Sequence, residues 1–150
     1  FNGEFKSVIV KSIHDNFRKH VDFINAGCSG CFNIKSSDRK FILNKSIIKR
    51  GLLILDSENK EKTYRTFEAK IKILHHPSTI KKNYETMIHC DSIKQTARIV
   101  LIENDIARIG DQTKVQFQFI KKPELIKLNK QIMFREGKTK GIGIITKLIE

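Results

Sequence analysis

The chain has 150 residues, 39% of them hydrophobic, and 29 Lys and Arg against 16 Asp and Glu give it a formal charge of +13. That length holds one ordinary domain or two small ones with a buried core. No apolar run approaches the roughly 18 residues of a spanning helix, and three cysteines are too few and odd in number for a secreted disulfide framework, so membrane and disulfide-stapled classes are set aside.

The start, Phe1-Asn2-Gly3-Glu4, has neither the basic end nor the apolar run of a signal peptide. A soluble protein is expected on that ground, and the cysteine usage points to a reducing, cytoplasmic compartment; the lack of an initiator Met suggests an excerpt of a longer chain. The charge suits a polyanion such as RNA or an acidic surface, although a Lys, Ile and Asn bias along the whole chain also fits an AT-rich genome.

Short apolar runs rich in β-branched and aromatic residues recur along the chain, separated by Gly, Asn, Asp and Ser clusters. They predict an all-β protein of two small antiparallel barrels. Strands are expected at Ser7 to Ile13, Ser29 to Ile34, Leu52 to Leu55, Phe67 to Leu74, Glu85 to His89, Ala97 to Glu103, Lys114 to Ile120, Gln131 to Arg135 and Ile142 to Leu148. The clearest alternation sends Phe67, Ala69, Ile71 and Ile73 one way and Glu68, Lys70 and Lys72 the other. Val115, Phe117 and Phe119 repeat it. Pro123, which cannot donate to a ladder, marks a strand exit, and Gly137, Gly141 and Gly143 point to tight backbone geometry beside the last strand. The polar stretch from Asp56 to Thr63 reads as a linker that divides the chain into residues 1–62 and 63–150.

Three cysteines and several histidines invite a metal reading. Cys28-x-x-Cys31 with His75, His76, His89 and Cys90 makes a zinc set on paper. Within one strand, however, an odd separation sends the two thiols to opposite faces, and no second pair has ligand spacing. Small buried hydrophobes are expected instead, with no metal. His75-His76-Pro77 lacks a partner with the flanking pattern of an activated nucleophile, so strand-end histidines satisfied by backbone bonds are expected, and no catalytic residue. Lys81-Lys82 with Tyr84 composes either a solvated loop or a stacking platform for RNA bases.

The segment Phe134-Arg-Glu-Gly-Lys-Thr-Lys-Gly-Ile-Gly-Ile-Ile-Thr-Lys-Leu-Ile149 resembles the closing strand pair of the third domain of elongation factor Tu and its relatives. Phe67-Glu-Ala-Lys-Ile-Lys-Ile-Leu-His-His-Pro77 resembles the first strand of that domain, and Ile109-Gly-Asp-Gln-Thr-Lys-Val-Gln-Phe117 its Gly-Asp turn. Val10-Lys-Ser-Ile-His14, Ala26-Gly27 and Ile48-Lys-Arg-Gly-Leu52 are similar to later strands of the second domain. His75-His-Pro-Ser-Thr-Ile80 and His89-Cys-Asp-Ser-Ile-Lys-Gln-Thr-Ala97 narrow the resemblance to the group of GTP-binding proteins one and two, relatives of elongation factor 1-alpha and the Hbs-type rescue factors.

The resemblance implies residues 1–62 as a partial second domain and 63–150 as a third domain. It implies GTP and Mg2+ as cofactors of an intact GTPase, held by a domain in cis that these barrels pack against. No Gly-x-x-x-x-Gly-Lys-Ser/Thr phosphate loop occurs in the 150 residues, so no cofactor is expected in this fragment. In elongation factor Tu the Arg-Glu-Gly turn and a Lys before Pro lie where tRNA touches the third domain. That implies RNA contacts, tRNA first, at Arg135, Glu136, Gly137, Lys138 and Lys122, with Lys81 and Lys82 as further candidates and the ribosome as a partner. Recruitment of RNA-decay or ribosomal proteins is the alternative. Asp91 departs from the pattern, since elongation factor Tu carries an Arg near the matching position and a carboxylate repels phosphate.

Overall fold

The computed structural model describes residues 2–59 and 61–149. By contacts the chain divides into two compact units, Phe5–Leu52 and Leu53–Glu150, the second joined by Asn2–Glu4. No helix occurs among the described residues, and none is therefore long and apolar enough to cross a membrane.

In the first unit, β1 (Val8–Asp15), β2 (His20–Val21) and β3 (Gly30–Ser36) form an antiparallel sheet in the order β2-β1-β3. Asp15 organises the β1–β2 turn: its Oδ1 accepts the amides of Phe17 and Lys19, each at 2.9 Å. This is the local side-chain capture that makes Asp a turn residue. β2 carries only two residues, too few for periodicity to register. No residue from Phe5 to Leu52 is buried. The strand expected over Leu52 to Leu55 does not form. Its apolar residues find no ladder partner among the described residues, and Leu53 and Ile54 stay 46% and 55% exposed.

The second unit contains β4 (Thr66–His75), β5 (Ile80–Lys81), β6 (Glu85–Cys90), β7 (Ile93–Ile102), β8 (Ile106–Ala107), β9 (Gln112–Phe119), β10 (Gln131–Glu136) and β11 (Thr139–Ile149). Six of these close into a barrel in the order β10-β11-β4-β9-β7-β6, while β5 and β8 pair as a short two-stranded sheet. Closure removes the exposed ladder edges that an open sheet would carry. The all-β expectation holds, with one barrel closed and the other unit an open sheet. Phe67, Ala69, Ile71 and Ile73 are all buried, as are Val115, Phe117 and Phe119, and the intervening polar residues point outward. A register shift between Ile99 and Leu101 turns Leu101 out to solvent, where it is exposed.

Phenylalanine rings fill the barrel. Phe117 lies 5.5 Å from Phe67 and 6.1 Å from Phe134 by ring centroid, and Phe119 lies 5.2 Å from Phe67. Their space is made by the Gly-x-Gly of β11. A Cβ on Gly141 would run into the Phe134 ring, and one on Gly143 would sit 2.8 Å from Ile71 Cγ2 and 2.8 Å from the Lys70 carbonyl oxygen. These glycines stand inside the last strand rather than beside it, and they thin the wall where rings need room.

Gln95, on β7, is the polar fastener of the other end. Buried at 5% exposure, it accepts the amides of Lys121 and Lys122 at 2.8 and 2.9 Å. It donates to the Lys122 carbonyl at 3.1 Å and to Glu124 Oε1 at 2.8 Å. Replacing it with Leu strands these groups, and chemical denaturation should report a loss of about 1–3 kcal/mol.

Candidate nucleic-acid interface

Strand directions define two ends of the barrel. The registers bring together at one end the close of β10, the start of β11, the close of β4 and the starts of β6 and β9. At that end β10 and β11 join through Gly137-Lys138, with Glu136 paired to Thr139 across the turn. Gly137 has φ 54°, the left-handed value that a two-residue hairpin takes at its first central position and that glycine adopts without steric cost. Nothing lies within 4 Å of where its Cβ would stand. The Gly137 backbone is thus open to a bulky ligand, and Arg135, Glu136 and Lys138 around it are exposed.

Behind the turn, Thr139 is buried and holds two elements together. Its hydroxyl oxygen lies 2.7 Å from His76 Nδ1 and accepts the Tyr84 hydroxyl at 3.0 Å. The His76 ring meets Tyr84 edge-on at 5.3 Å, and Ser78 Oγ lies 3.4 Å from His76 Nε2. Tyr84 follows the turn that carries Lys81 and Lys82 out of β5, where Asn83 takes φ 70°. The Thr139 network therefore fastens the Lys81-Lys82 turn to the Gly137-Lys138 hairpin. Four cations, Lys81, Lys82, Arg135 and Lys138, reach one end, and none makes an ion pair among the described residues.

One expectation is corrected here: His76 is buried and satisfied by side chains rather than by a backbone bond. Lys81 and Lys82 are exposed, while Tyr84 is half-buried against the core and hydrogen-bonded to Thr139.

Lys122 lies apart from this group. β9 runs away from the hairpin end, so Lys122, three residues past Phe119, emerges at the far mouth, a strand length of roughly 25–30 Å from Gly137 at ~3.3 Å per residue. There its ammonium is 3.5 Å from Glu124. Asp91, the acidic departure, also sits at the far end, after β6, and its carboxylate is 3.0 Å from the Lys130 ammonium. It neither borders the hairpin nor stands uncompensated.

His89 on β6 pairs with Met133 on β10 and is two residues along the ladder from Arg135. Its pKa is lowered, first by desolvation and then by the charges of Lys94 and Arg135. A lowered folded value means that the unfolded chain binds more protons, so stability falls as pH drops through and below the ordinary histidine range. His89→Gln should remove part of that acid sensitivity, seen as a shallower decline of denaturation midpoint below about pH 6.5.

Cys90 is buried, with its thiol pKa raised by burial first and by Asp91 second. Cys28 and Cys31 are both exposed, contrary to the expectation of buried hydrophobes, and Cys28 lies in the turn before β3 rather than within the strand.

No protein-family model matches the chain. Over 148 residues it is 39% identical to GTP-binding protein 1 of Xenopus laevis, covering 99% of this chain and 22% of that relative. It is 27% identical over 164 residues to elongation factor 1-alpha of Ignicoccus hospitalis, covering 96% of this chain and 34% of that protein. In three dimensions it superposes on sup35 complexed with GDP with a TM-score of 0.75 at 15% identity, over 97% of this chain and 38% of the other. The chain thus spans about a fifth to a third of the length of the relatives it matches.

Proposed function

We propose, on its likeness to GTP-binding proteins 1 and 2 and elongation factor 1-alpha, that the chain serves a longer cytoplasmic GTPase as a C-terminal accessory part that grips RNA, aminoacyl-tRNA first. In this reading residues 1–62 belong to a second domain and 63–150 to a third, GTP and Mg2+ are held elsewhere in the intact protein, and the ribosome is the setting.

One observation carries the RNA reading: the Thr139 network gathers Lys81, Lys82, Arg135 and Lys138 around an open glycine turn. An exposed glycine lets backbone approach a phosphate or ribose, and unpaired Lys and Arg supply charge-assisted contacts. GTP would act as a switch by fixing the pose of the accessory part in one nucleotide state.

Titration of the full chain with aminoacyl-tRNA and uncharged tRNA at low and moderate salt tests the grip. Salt-steep binding that prefers the charged form supports it, and no binding at low salt removes it. The switch is tested separately on the intact GTPase, where equal tRNA affinity with a GTP analogue and with GDP would defeat it.

A second reading rests on a different surface. Met133, Ile142 and Ile144 lie 51%, 46% and 46% exposed on the outer faces of β10 and β11, with Met133 paired to Ile142. An aliphatic row of this kind suits a protein contact, as recruitment of RNA-decay or ribosomal proteins requires. Its binding would be nearly flat with salt and lost on Met133→Asp.

A further inference from the structure

The first unit aligns three soft donors through strand register and carries a fourth in the adjoining turn. β1 is central in its sheet, and His14 on β1 is the register partner of His20 on β2 and of Cys31 on β3. Register partners project to the same face of a sheet, so His20, His14 and Cys31 form one row across three strands. Cys28 stands three residues before Cys31, in a turn closed by its own amide donating to the Asn25 carbonyl at 3.1 Å. Because that turn lies outside the strand, the alternation that would send the two thiols to opposite faces does not apply to Cys28.

The imidazoles are already close. The rings of His14 and His20 have centroids 5.6 Å apart and planes at 89°. Zinc–nitrogen bonds of ~2.0 Å place each ligating ring's centroid ~3 Å from the metal, so two imidazoles on one tetrahedral ion have centroids ~5 Å apart. As the side chains stand, no three donors surround a common point among the described residues. Closure therefore requires the thiols to turn in. Cys28 and Cys31 are free and exposed, so rotating them disrupts no packing.

We propose that His14, His20, Cys28 and Cys31 form a structural site for a soft divalent cation, zinc by ligand chemistry. Two thiolates and two neutral imidazoles give a closed tetrahedral set with no open position for a substrate. Binding displaces the two thiol protons. The site is built from residues of the first unit alone, and the two readings stand or fall independently.

The test uses the full chain, purified under reductant without added metal, in elemental analysis and in a Zn2+ titration against a chromophoric chelator. Stoichiometric zinc is expected. Cobalt substitution should show a thiolate-to-cobalt charge-transfer band with the absorption of a tetrahedral ion. Cys28→Ser and Cys31→Ser should each weaken Zn2+ by more than about 100-fold, while His75→Gln on the barrel leaves it unchanged. The wild-type titration needs no variant to fold, so it decides alone if they aggregate. Failure of the reduced wild-type chain to take up equimolar Zn2+, a six-coordinate cobalt spectrum without a thiolate band, or full retention of zinc in both cysteine variants would overturn the site.

Discussion

Gly141→Ala is expected to destabilise the barrel by about 1–3 kcal/mol, the usual cost of forcing atoms into a packed core. The new methyl runs into the Phe134 ring, and that ring is fully buried with Phe117 6.1 Å away, so it has no free direction in which to swing. Phe134→Ala should cost more, about 3–5 kcal/mol, by lost burial and a cavity. The informative variant is the pair. With the ring gone, the three atoms nearest the methyl at position 141 are removed, and alanine gives up less backbone entropy on folding than glycine, so Gly141→Ala should then cost far less or be mildly stabilising. Urea denaturation of the four proteins reads the cycle directly. A coupling near zero between positions 141 and 134 would mean that the glycine serves something other than ring clearance, because independent sites add.

That pairing also separates what local sequence can show from what it cannot. Gly141 and Gly143 announced tight geometry, but the ring needing the space lies across the β10–β11 ladder, and local sequence does not show it. Alternation at Phe67 to Ile73 and at Val115 to Phe119 was readable because each strand has one buried face and one wet face, which imposes period two. β2, β5 and β8, with two residues each, are no longer than a single period and left no pattern. Leu52 to Leu55 had the composition of a strand and no ladder partner among the described residues. Composition describes what a segment would tolerate, whereas a strand exists only in a ladder.

The candidate site divides along the same line. Arg135, Glu136, Gly137 and Lys138 are contiguous, and their turn was visible as a motif. Joining them to Lys81 and Lys82 depends on Tyr84 reaching Thr139 across 55 residues of chain, a tertiary event with no local signature. Lys122 was grouped with the turn by resemblance, but the direction of β9 carries it to the opposite mouth. The row of His20, His14 and Cys31 was equally hidden. Spacing along the chain gave no ligand pattern, because the pattern lies across three strands.

Removing the four cations of the hairpin end has the largest expected effect on binding. Counterion release gives a slope of log affinity against log salt of about −0.7 to −0.9 per phosphate contact, so alanine at Lys81, Lys82, Arg135 and Lys138 together should flatten the tRNA salt slope by about 3. Across a fourfold rise in salt, that is a loss of roughly 60-fold in salt sensitivity. All four side chains are exposed and unpaired among the described residues, so the variant should keep its denaturation midpoint and separate binding from folding. Lys122→Ala is the internal comparison: its ammonium faces Glu124 at the far mouth, and the slope should stay where it was. Should Lys122 alone move the slope as far as the four together, the RNA would lie at the other end of the barrel. Should none of the variants move it, the charge contributes only diffuse attraction, and the aliphatic row of Met133, Ile142 and Ile144 becomes the surface to probe, with a protein as its partner.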